Sequence, residues 1–181
     1  MNSNERRLDH SQAEQRYREY RKIAHEVTQE EFPETQIAGV TYNDALEADR
    51  WKSLASSGAR STRADWYWSK EYPHYLNRPN RFELTVKRGG VLCAICLGQL
   101  SKNGTNVRMN LIESTPVRPS PLQMRALPII SFAASVFADI VGANELWVID
   151  PKPALENLYK EEGFGSREVY HGPRVGQRRI L

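Results

Sequence analysis

The segment from residue 82 to residue 114 constrains the fold most, because its patterns of apolar and polar residues are those of β-strands. Residues 82–87 alternate strictly, and residues 91–100 are apolar on both faces, as in a central strand. The pair Asn103-Gly104 is a strong hairpin signal, and a return strand follows over residues 105–114. The pattern predicts three antiparallel strands joined by tight turns.

A helix and a further strand follow these three strands. The sequence LPIISFAASVFADIVG predicts a buried helix that begins near Pro128 and ends at Gly142. Residues 145–150 read as a short apolar strand, residues 153–162 as an amphipathic helix, and the tail as one or two strands. A helical crossover between two strands of one sheet makes them parallel, so the sheet is mixed. The expected fold class is therefore α/β (α+β), a sheet with helices on its faces.

The N-terminal part is predicted to be mainly helical. Residues 5–31 carry an apolar stripe of helical period, and residues 43–55 form a second helix with Asn43 as its cap. Residues 56–65 read as a loop. Residues 66–82 interleave aromatic and basic side chains. We interpret them as a cover for the sheet edge that also fills the core, with base stacking or binding of an aromatic substrate as the alternatives.

Length and charge limit the classes of function. At 181 residues the chain suits one domain, 1–181, in which residues 1–81 form the N-terminal part and residues 82–181 the core. The net charge of +3 is too small to indicate a nucleic-acid binder, although residues 50–90 hold nine Lys or Arg against three Asp or Glu. No apolar run approaches the ~18 residues that span a bilayer, and the first residues lack a secretory signal. A cytoplasmic protein with no membrane partner is expected.

The two cysteines, Cys93 and Cys96, lie three residues apart in the apolar strand. Side chains of a regular strand alternate between its faces, so these two should point in opposite directions, about 10 Å apart along the strand. Neither a disulfide nor a shared metal ion fits that arrangement, and no second cysteine pair completes a zinc site. The sequence predicts two buried thiols and no metal.

The segment ELWVIDPKPALENLYKEEGFG, residues 145–165, combines a strand, a bend, a helix and a helix stop at Gly163. Its spacing Leu158-Tyr159-x-x-x-Gly163-Phe164 resembles the C-terminal half of the GNAT superfamily of N-acetyltransferases. The resemblance extends from residue 82 to the C-terminus. It implies a GNAT-like, mostly antiparallel central sheet flanked by helices, here with a long helical N-terminal extension, and a cleft for acetyl-CoA.

The resemblance also implies which residues hold acetyl-CoA, the co-substrate. The backbone at the end of the strand over residues 105–114 would hydrogen-bond the pantetheine arm. The loop between that strand and the next helix would bind the pyrophosphate. That loop departs from the usual pattern, because no glycine lies between Thr115 and Gly142. The sequence SPLQMRA resembles a less common variant of the loop, in which Met124 would occupy the glycine position. The cofactor-binding residues implied are Leu111, Ile112, Glu113, Ser114, Arg118, Leu122, Gln123, Met124, Arg125, Ala126 and Tyr159.

Three residues are implied as catalytic. Tyr159 would protonate the departing coenzyme thiolate, a task suited to a phenol that is protonated at neutral pH. Glu113 is the first candidate for the base that deprotonates the acceptor amine, and Asp150 is the second. Both should lie where two parallel strands separate.

The function expected from the resemblance is an acetyl-CoA-dependent N-acetyltransferase. A primary amine, on a small molecule or a protein, would attack the thioester directly in a ternary complex. Two alternatives remain open: toxin-like acetylation of aminoacyl-tRNA, supported by the basic 50–90 segment, and a non-catalytic interaction module. RNA is a less favoured partner than an amine acceptor. The long N-terminal helix offers a surface for a homodimer.

Overall fold

The computed structural model describes residues 3–54 and 66–181, with side chains from Leu8 onward. The predicted loop 56–65 and residue 55 lie outside the described residues. The elements, in chain order, are α1 Ser3–Glu31, β1 Gln36–Ala38, α2 Tyr42–Asp49, α3 Trp51–Leu54, α4 Trp68–Leu76, β2 Arg81–Arg88, β3 Val91–Leu100, β4 Asn106–Ser114, α5 Ala126–Val141, β5 Glu145–Ile149, α6 Glu156–Glu161, β6 Glu168–His171 and β7 Arg174–Ile180.

The strands form one seven-stranded sheet in the order β1-β2-β3-β4-β5-β7-β6. Every neighbouring pair is antiparallel except β4 and β5, which are parallel and connected by α5. The helix ends as expected at Gly142, whose φ of 74° is left-handed. Helices α1 and α5 cover one face of the sheet, and α2 and α4 cover part of the other. The predicted mixed sheet with helices on its faces is confirmed.

A bulge in β4 decides where the sheet opens. Gly98 pairs with Met109 while Leu97 pairs with Leu111, so Asn110 has no partner in β3. Glycine is required at position 98, because a Cβ there would lie 2.0 Å from the carbonyl oxygen of Arg108. The parallel pairing with β5 stops at Met109, whereas β4 continues to Ser114. Beyond the bulge, β4 and β5 therefore separate.

The second helix differs from its prediction. It is capped by Thr41, whose hydroxyl accepts a hydrogen bond from the Asp44 N–H while the Asp44 carboxylate accepts one from the Thr41 N–H. This reciprocal box explains why Asn43 is not the cap. The helix ends at Asp49, and a separate turn, α3, brings Trp51 into the core.

Further differences concern short elements. The strand β1 has three residues and α4 contains Pro73, and neither was predicted. Helix α5 begins two residues before Pro128, at Ala126. The predicted helix 153–162 is a 3-10 turn, Pro153–Leu155, followed by the shorter α6.

The cysteines are free and buried, as predicted. Their predicted orientation is wrong. The register shifts between Val86 and Lys87, so Cys93 has no partner in β2 and the alternation of β3 is interrupted there. Cys93 and Cys96 consequently belong to the same apolar cluster, on the face that α1 and α5 cover.

Among the described residues, neither a membrane-spanning helix nor a cluster of metal ligands is present. None of the helices there has the length and apolar character that crossing a bilayer requires. Within residues 3–54 and 66–181, no three side chains of His, Cys, Asp or Glu converge as metal ligands would.

Candidate functional site

The separation of β4 from β5 opens a cleft at the end of the parallel pair. The last residues of β4 form one wall, α5 forms a second, and the segment from β5 to α6 forms the third. The enclosed volume is about 160 Å³. The lining residues are Ile112, Glu113, Ser114, Arg118, Ser120, Met124, Ala126, Leu127, Ile130, Leu155, Leu158 and Tyr159. Most of the predicted cofactor-binding residues thus meet in one cleft.

The loop before α5 adopts left-handed backbone conformations without glycine. Gln123 has a φ of 51° and Met124 a φ of 68°. A left-handed residue with a side chain costs about 1–2 kcal/mol. Met124 is 64% exposed and lines the cleft. Met124 therefore has the backbone conformation that a glycine would provide at this position.

The start of α5 presents free hydrogen-bond donors. The N–H of Arg125 bonds to the Leu122 carbonyl at 2.9 Å, and the N–H of Ile129 bonds to the Arg125 carbonyl at 3.1 Å. Pro128 has no N–H. Within the part of the chain that the structure describes, the N–H groups of Ala126 and Leu127 have no acceptor. Such donors and the positive end of the helix dipole suit an anion.

The basic side chains near this loop are already engaged. Arg118 donates to the carbonyl oxygens of Thr115 and Val117, at 3.2 and 3.0 Å. Arg125 pairs with the carboxylate of Glu34, which follows α1. Backbone hydrogen bonding and the Arg125 guanidinium hold the pKa of Glu34 below its usual range.

Arg88 and Glu34 were missed from the sequence. Arg88 donates to the Pro121 carbonyl at 2.7 Å and so fixes the loop from β2. Glu34 lies 91 positions before its partner Arg125. No local pattern in the sequence connects residues so far apart.

Tyr159 lies between two pockets. It lines the cleft beside α5 and also a smaller pocket of about 50 Å³ with Trp66, Asn110, Asp150 and Lys152. The side chain is 6% exposed, and burial raises its pKa far above the usual range of a phenol. The phenol therefore stays protonated at physiological pH and is a hydrogen-bond donor.

Glu113 is buried and held by a tryptophan that sequence reasoning did not assign. The indole Nε1 of Trp68 donates to Glu113 Oε2 at 2.6 Å. Trp68 is itself placed by Asp49, which accepts the Trp68 N–H at 2.6 Å and the Ser69 hydroxyl at 2.5 Å. The end of α2 thus positions the start of α4, and α4 positions the carboxylate.

Asp150 is held by the strand beside it. Its carboxylate pairs with Arg174 at 2.9 Å and accepts the Val175 N–H at 3.1 Å. Its side chain is about half exposed, and its φ of 49° is left-handed. Asp150 lines the smaller pocket with Tyr159, whereas Glu113 lines the cleft. The two carboxylates predicted as alternative bases are therefore in different surroundings.

Known structures share this architecture. An acetyltransferase from Thermus thermophilus superposes with a TM-score of 0.60 over 81% of this chain and 97% of that chain, at 17% identity. PaiA N-acetyltransferase from Thermoplasma acidophilum, in complex with coenzyme A, gives 0.58 over 81% and 99%, at 11% identity. The GNAT domain of S. lividans PAT gives 0.57 over 81% and 90%, at 15% identity.

The fold is that of the GNAT acetyltransferases. By sequence, neither a protein-family model nor a curated protein matches the chain. Within this GNAT fold, the cleft is bounded by β4, α5 and the β5–α6 segment.

Proposed function

We propose that the protein is an acetyl-CoA-dependent N-acetyltransferase that acts on a primary amine. The observation that carries the proposal is the opening between β4 and β5, which places Tyr159 in the same cleft as the free N–H groups that start α5. An elongated thioester with an anionic end fits this combination. The free N–H groups at the start of α5 would bind the anion, and the enclosed Tyr159 hydroxyl would donate a hydrogen bond near the thioester.

The coenzyme would be held by backbone and side-chain groups already described. The backbone of residues 111–114 lies beyond the last β5 partner, and an amide-containing arm would run alongside it. The pyrophosphate would lie at the start of α5, with Leu122, Gln123 and Met124 shaping the loop. Arg118 and Arg125 add positive charge, and Arg125 would exchange Glu34 for the phosphate.

The reaction proposed is direct attack by the amine nitrogen on the thioester carbonyl. Glu113 accepts a proton from the ammonium form of the acceptor, since only the neutral amine has a lone pair to form the new C–N bond. The C–S bond breaks as the amide forms, and Tyr159 donates a proton to the departing thiolate. Asp150, which lines the smaller pocket, is the alternative base.

Aminoacyl-tRNA is a second candidate acceptor, and one surface feature favours it. The ammonium groups of Lys52 and Lys70 lie 3.8 and 5.1 Å from the centre of the half-exposed Tyr67 ring. A basic, aromatic surface of this kind binds RNA backbone and bases. Binding of RNA that weakens steeply with salt would support this acceptor.

Calorimetric titration with acetyl-CoA, with free CoA alongside, tests the proposal. Saturable binding at one site is expected, and it should weaken in Arg125→Ala. If neither compound binds, the protein is a non-catalytic interaction module instead.

Two matched variants then test the base in an amine-acceptor screen. Glu113→Gln should bind the coenzyme and lose turnover, whereas Asp150→Asn should keep both. The reverse result would assign the base to Asp150, and full activity in both variants would remove both assignments.

A further inference from the structure

The carboxylate of Glu113 and the indole of Trp68 lie on the same face of the sheet. Glu113 is opposite Ile95 in β3, and directly opposed residues of an antiparallel pair share a face. Ile95 belongs to the apolar cluster that α2 and α4 cover, and so does Trp68. The neighbouring residue Ile112 packs instead against the cluster on the α5 face. The Glu113 side chain therefore extends from β4 towards α4, away from the face on which α5 begins.

Trp68 is a rigid hydrogen-bond donor to this carboxylate. Its indole Nε1–H donates to Glu113 Oε2 at 2.6 Å, and an indole N–H can only donate. The Trp68 side chain is 1% exposed and makes an edge-to-face contact with Trp66, with 6.3 Å between the ring centres. Because an indole enclosed in this way cannot turn with the carboxylate, the hydrogen bond holds Glu113 in one orientation.

The start of α4 is anchored by a residue of another helix. The N-cap of α4, Tyr67, makes no capping hydrogen bond with its side chain. Asp49, the last residue of α2, accepts the Trp68 N–H with one carboxylate oxygen and the Ser69 hydroxyl with the other. It satisfies a free N–H of the helix start, as a capping side chain does. The position of the indole thus depends on both α2 and α4.

We propose that Trp68 is a positioning residue that keeps Glu113 ionised and oriented for proton transfer from the acceptor amine. This role rests on the proposed acetyltransferase function, with Glu113 as the base. A hydrogen bond donated to a carboxylate stabilises its ionised form, and only that form accepts the proton of the ammonium group. Without the indole donor, Glu113 becomes protonated at a higher pH, and turnover falls there first.

The pH profile of kcat in Trp68→Phe, with acetyl-CoA and the acceptor both saturating, tests the proposal. The substitution keeps an aromatic ring and removes the donor. The acid limb should move up by about one pH unit, because a hydrogen bond to a charged group changes the protonation equilibrium by about tenfold. Coenzyme binding should be unchanged by calorimetry. Trp51→Phe is the matched control, since Trp51 is buried in the same cluster, and its acid limb should stay in place.

Asp49→Ala is a milder variant of the same arrangement. It keeps the indole and removes the anchor of α4, so the acid limb should move in the same direction but less far. Because Asp49 is partly exposed, this variant tests the proposal even if Trp68→Phe does not fold. Within the described residues, the other ionisable side chains that line the cleft are those of Arg118 and Tyr159, and both are retained in these variants.

A double variant separates a positioning role from a loss of stability. Added to Glu113→Gln, Trp68→Phe should lower turnover no further, because a residue that acts through Glu113 then has no base to position. An additive loss, or an acid limb that stays in place in every folded variant of Trp68 and Asp49, would overturn the proposal and leave the acetyltransferase function standing. If the wild type acetylated no amine, the proposed function would fail, and the role of Trp68 with it.

Discussion

Replacing Gly98 with alanine tests whether the bulge in β4 sets the shape of the cleft. The added Cβ would lie 2.0 Å from the carbonyl oxygen of Arg108, 3.0 Å from its carbonyl carbon and 3.2 Å from the Cα of Met109. All three atoms belong to the backbone of β4, so no rotation of a side chain removes the overlap. Because uncharged atoms pack at about 3.5 Å, β3 and β4 must separate locally by about 1 Å or more.

Overpacking of this kind costs about 1–3 kcal/mol, and the rigidity of a central strand pair places Gly98→Ala near the upper value. For a protein of this size, about 3 kcal/mol lowers the melting temperature by about 6–12 °C. The displaced strand also carries residues 111–114 of the cleft wall. We therefore expect acetyl-CoA affinity to fall by about tenfold, which corresponds to about 1.4 kcal/mol.

Differential scanning calorimetry and coenzyme titration measure the two effects. Gly39→Ala is the matched control, because its Cβ would meet nothing closer than 3.8 Å. At a compatible site this substitution stabilises a protein by about 0.4–1 kcal/mol. If Gly98→Ala melted at the wild-type temperature, or if both variants lost the same stability, the close approach of β3 and β4 at Gly98 would not govern the cleft.

Four further substitutions, at three places in the molecule, have defined outcomes. Tyr159→Phe should bind acetyl-CoA as the wild type does and lower the turnover by about 100-fold, because the proton donor is gone. In Arg125→Ala, calorimetry should show that the coenzyme binds about tenfold more weakly or worse. In Glu34→Gln, the coenzyme should bind more tightly, because the carboxylate that competes with the phosphate for Arg125 is gone. Burial alone would raise the pKa of Asp44, but hydrogen bonds led by that of Lys87 hold it below its usual range. A carboxyl whose pKa is depressed in the folded state stabilises the protein above about pH 4, and this stabilisation is lost as the pH falls through the folded-state pKa. Asp44→Asn should therefore reduce the fall of the melting temperature at acid pH.

Each of these has a control elsewhere in the molecule. Tyr72→Phe removes a buried hydroxyl that donates to the Val40 carbonyl, and it should not affect turnover. Arg178→Ala removes an arginine that pairs with Glu145, at the opposite end of β5, and should leave coenzyme affinity unchanged. Asp139→Asn, on the exposed face of α5, should not alter the acid profile. A matching effect in any control would contradict the assigned cause.

The sequence predicts the core of the sheet because local signals define it. The alternation in β2, the turn at Asn103-Gly104 and the left-handed end of α5 at Gly142 each depend on neighbouring residues. The elements that were missed lack such signals. Strand β1 is stabilised by pairing with β2. Helix α4, which contains Pro73, is held at its start by Asp49, which is far away in the sequence and accepts the Trp68 N–H.

The candidate site shows the same division between local and distant determinants. The register of β4 places Glu113 beside the cleft, and the strand–helix spacing places Tyr159 there too. The partner of Glu113, Trp68, is 45 positions away, so no periodicity connects them. The interruption in β3 at Cys93 likewise depends on how two strands pair, and a rule of strict alternation cannot anticipate it.

The left-handed backbone at Met124 has a consequence for how proteins of this shape are recognised. A comparison of sequences distinguishes glycine from methionine at this turn. A comparison of backbone torsion angles treats the two residues alike, because both can have a positive φ. A left-handed turn can therefore be formed without glycine, at a cost of about 1–2 kcal/mol for each residue in that conformation. Chains of this kind are therefore recognised by the geometry of their backbone and not by a glycine in their sequence.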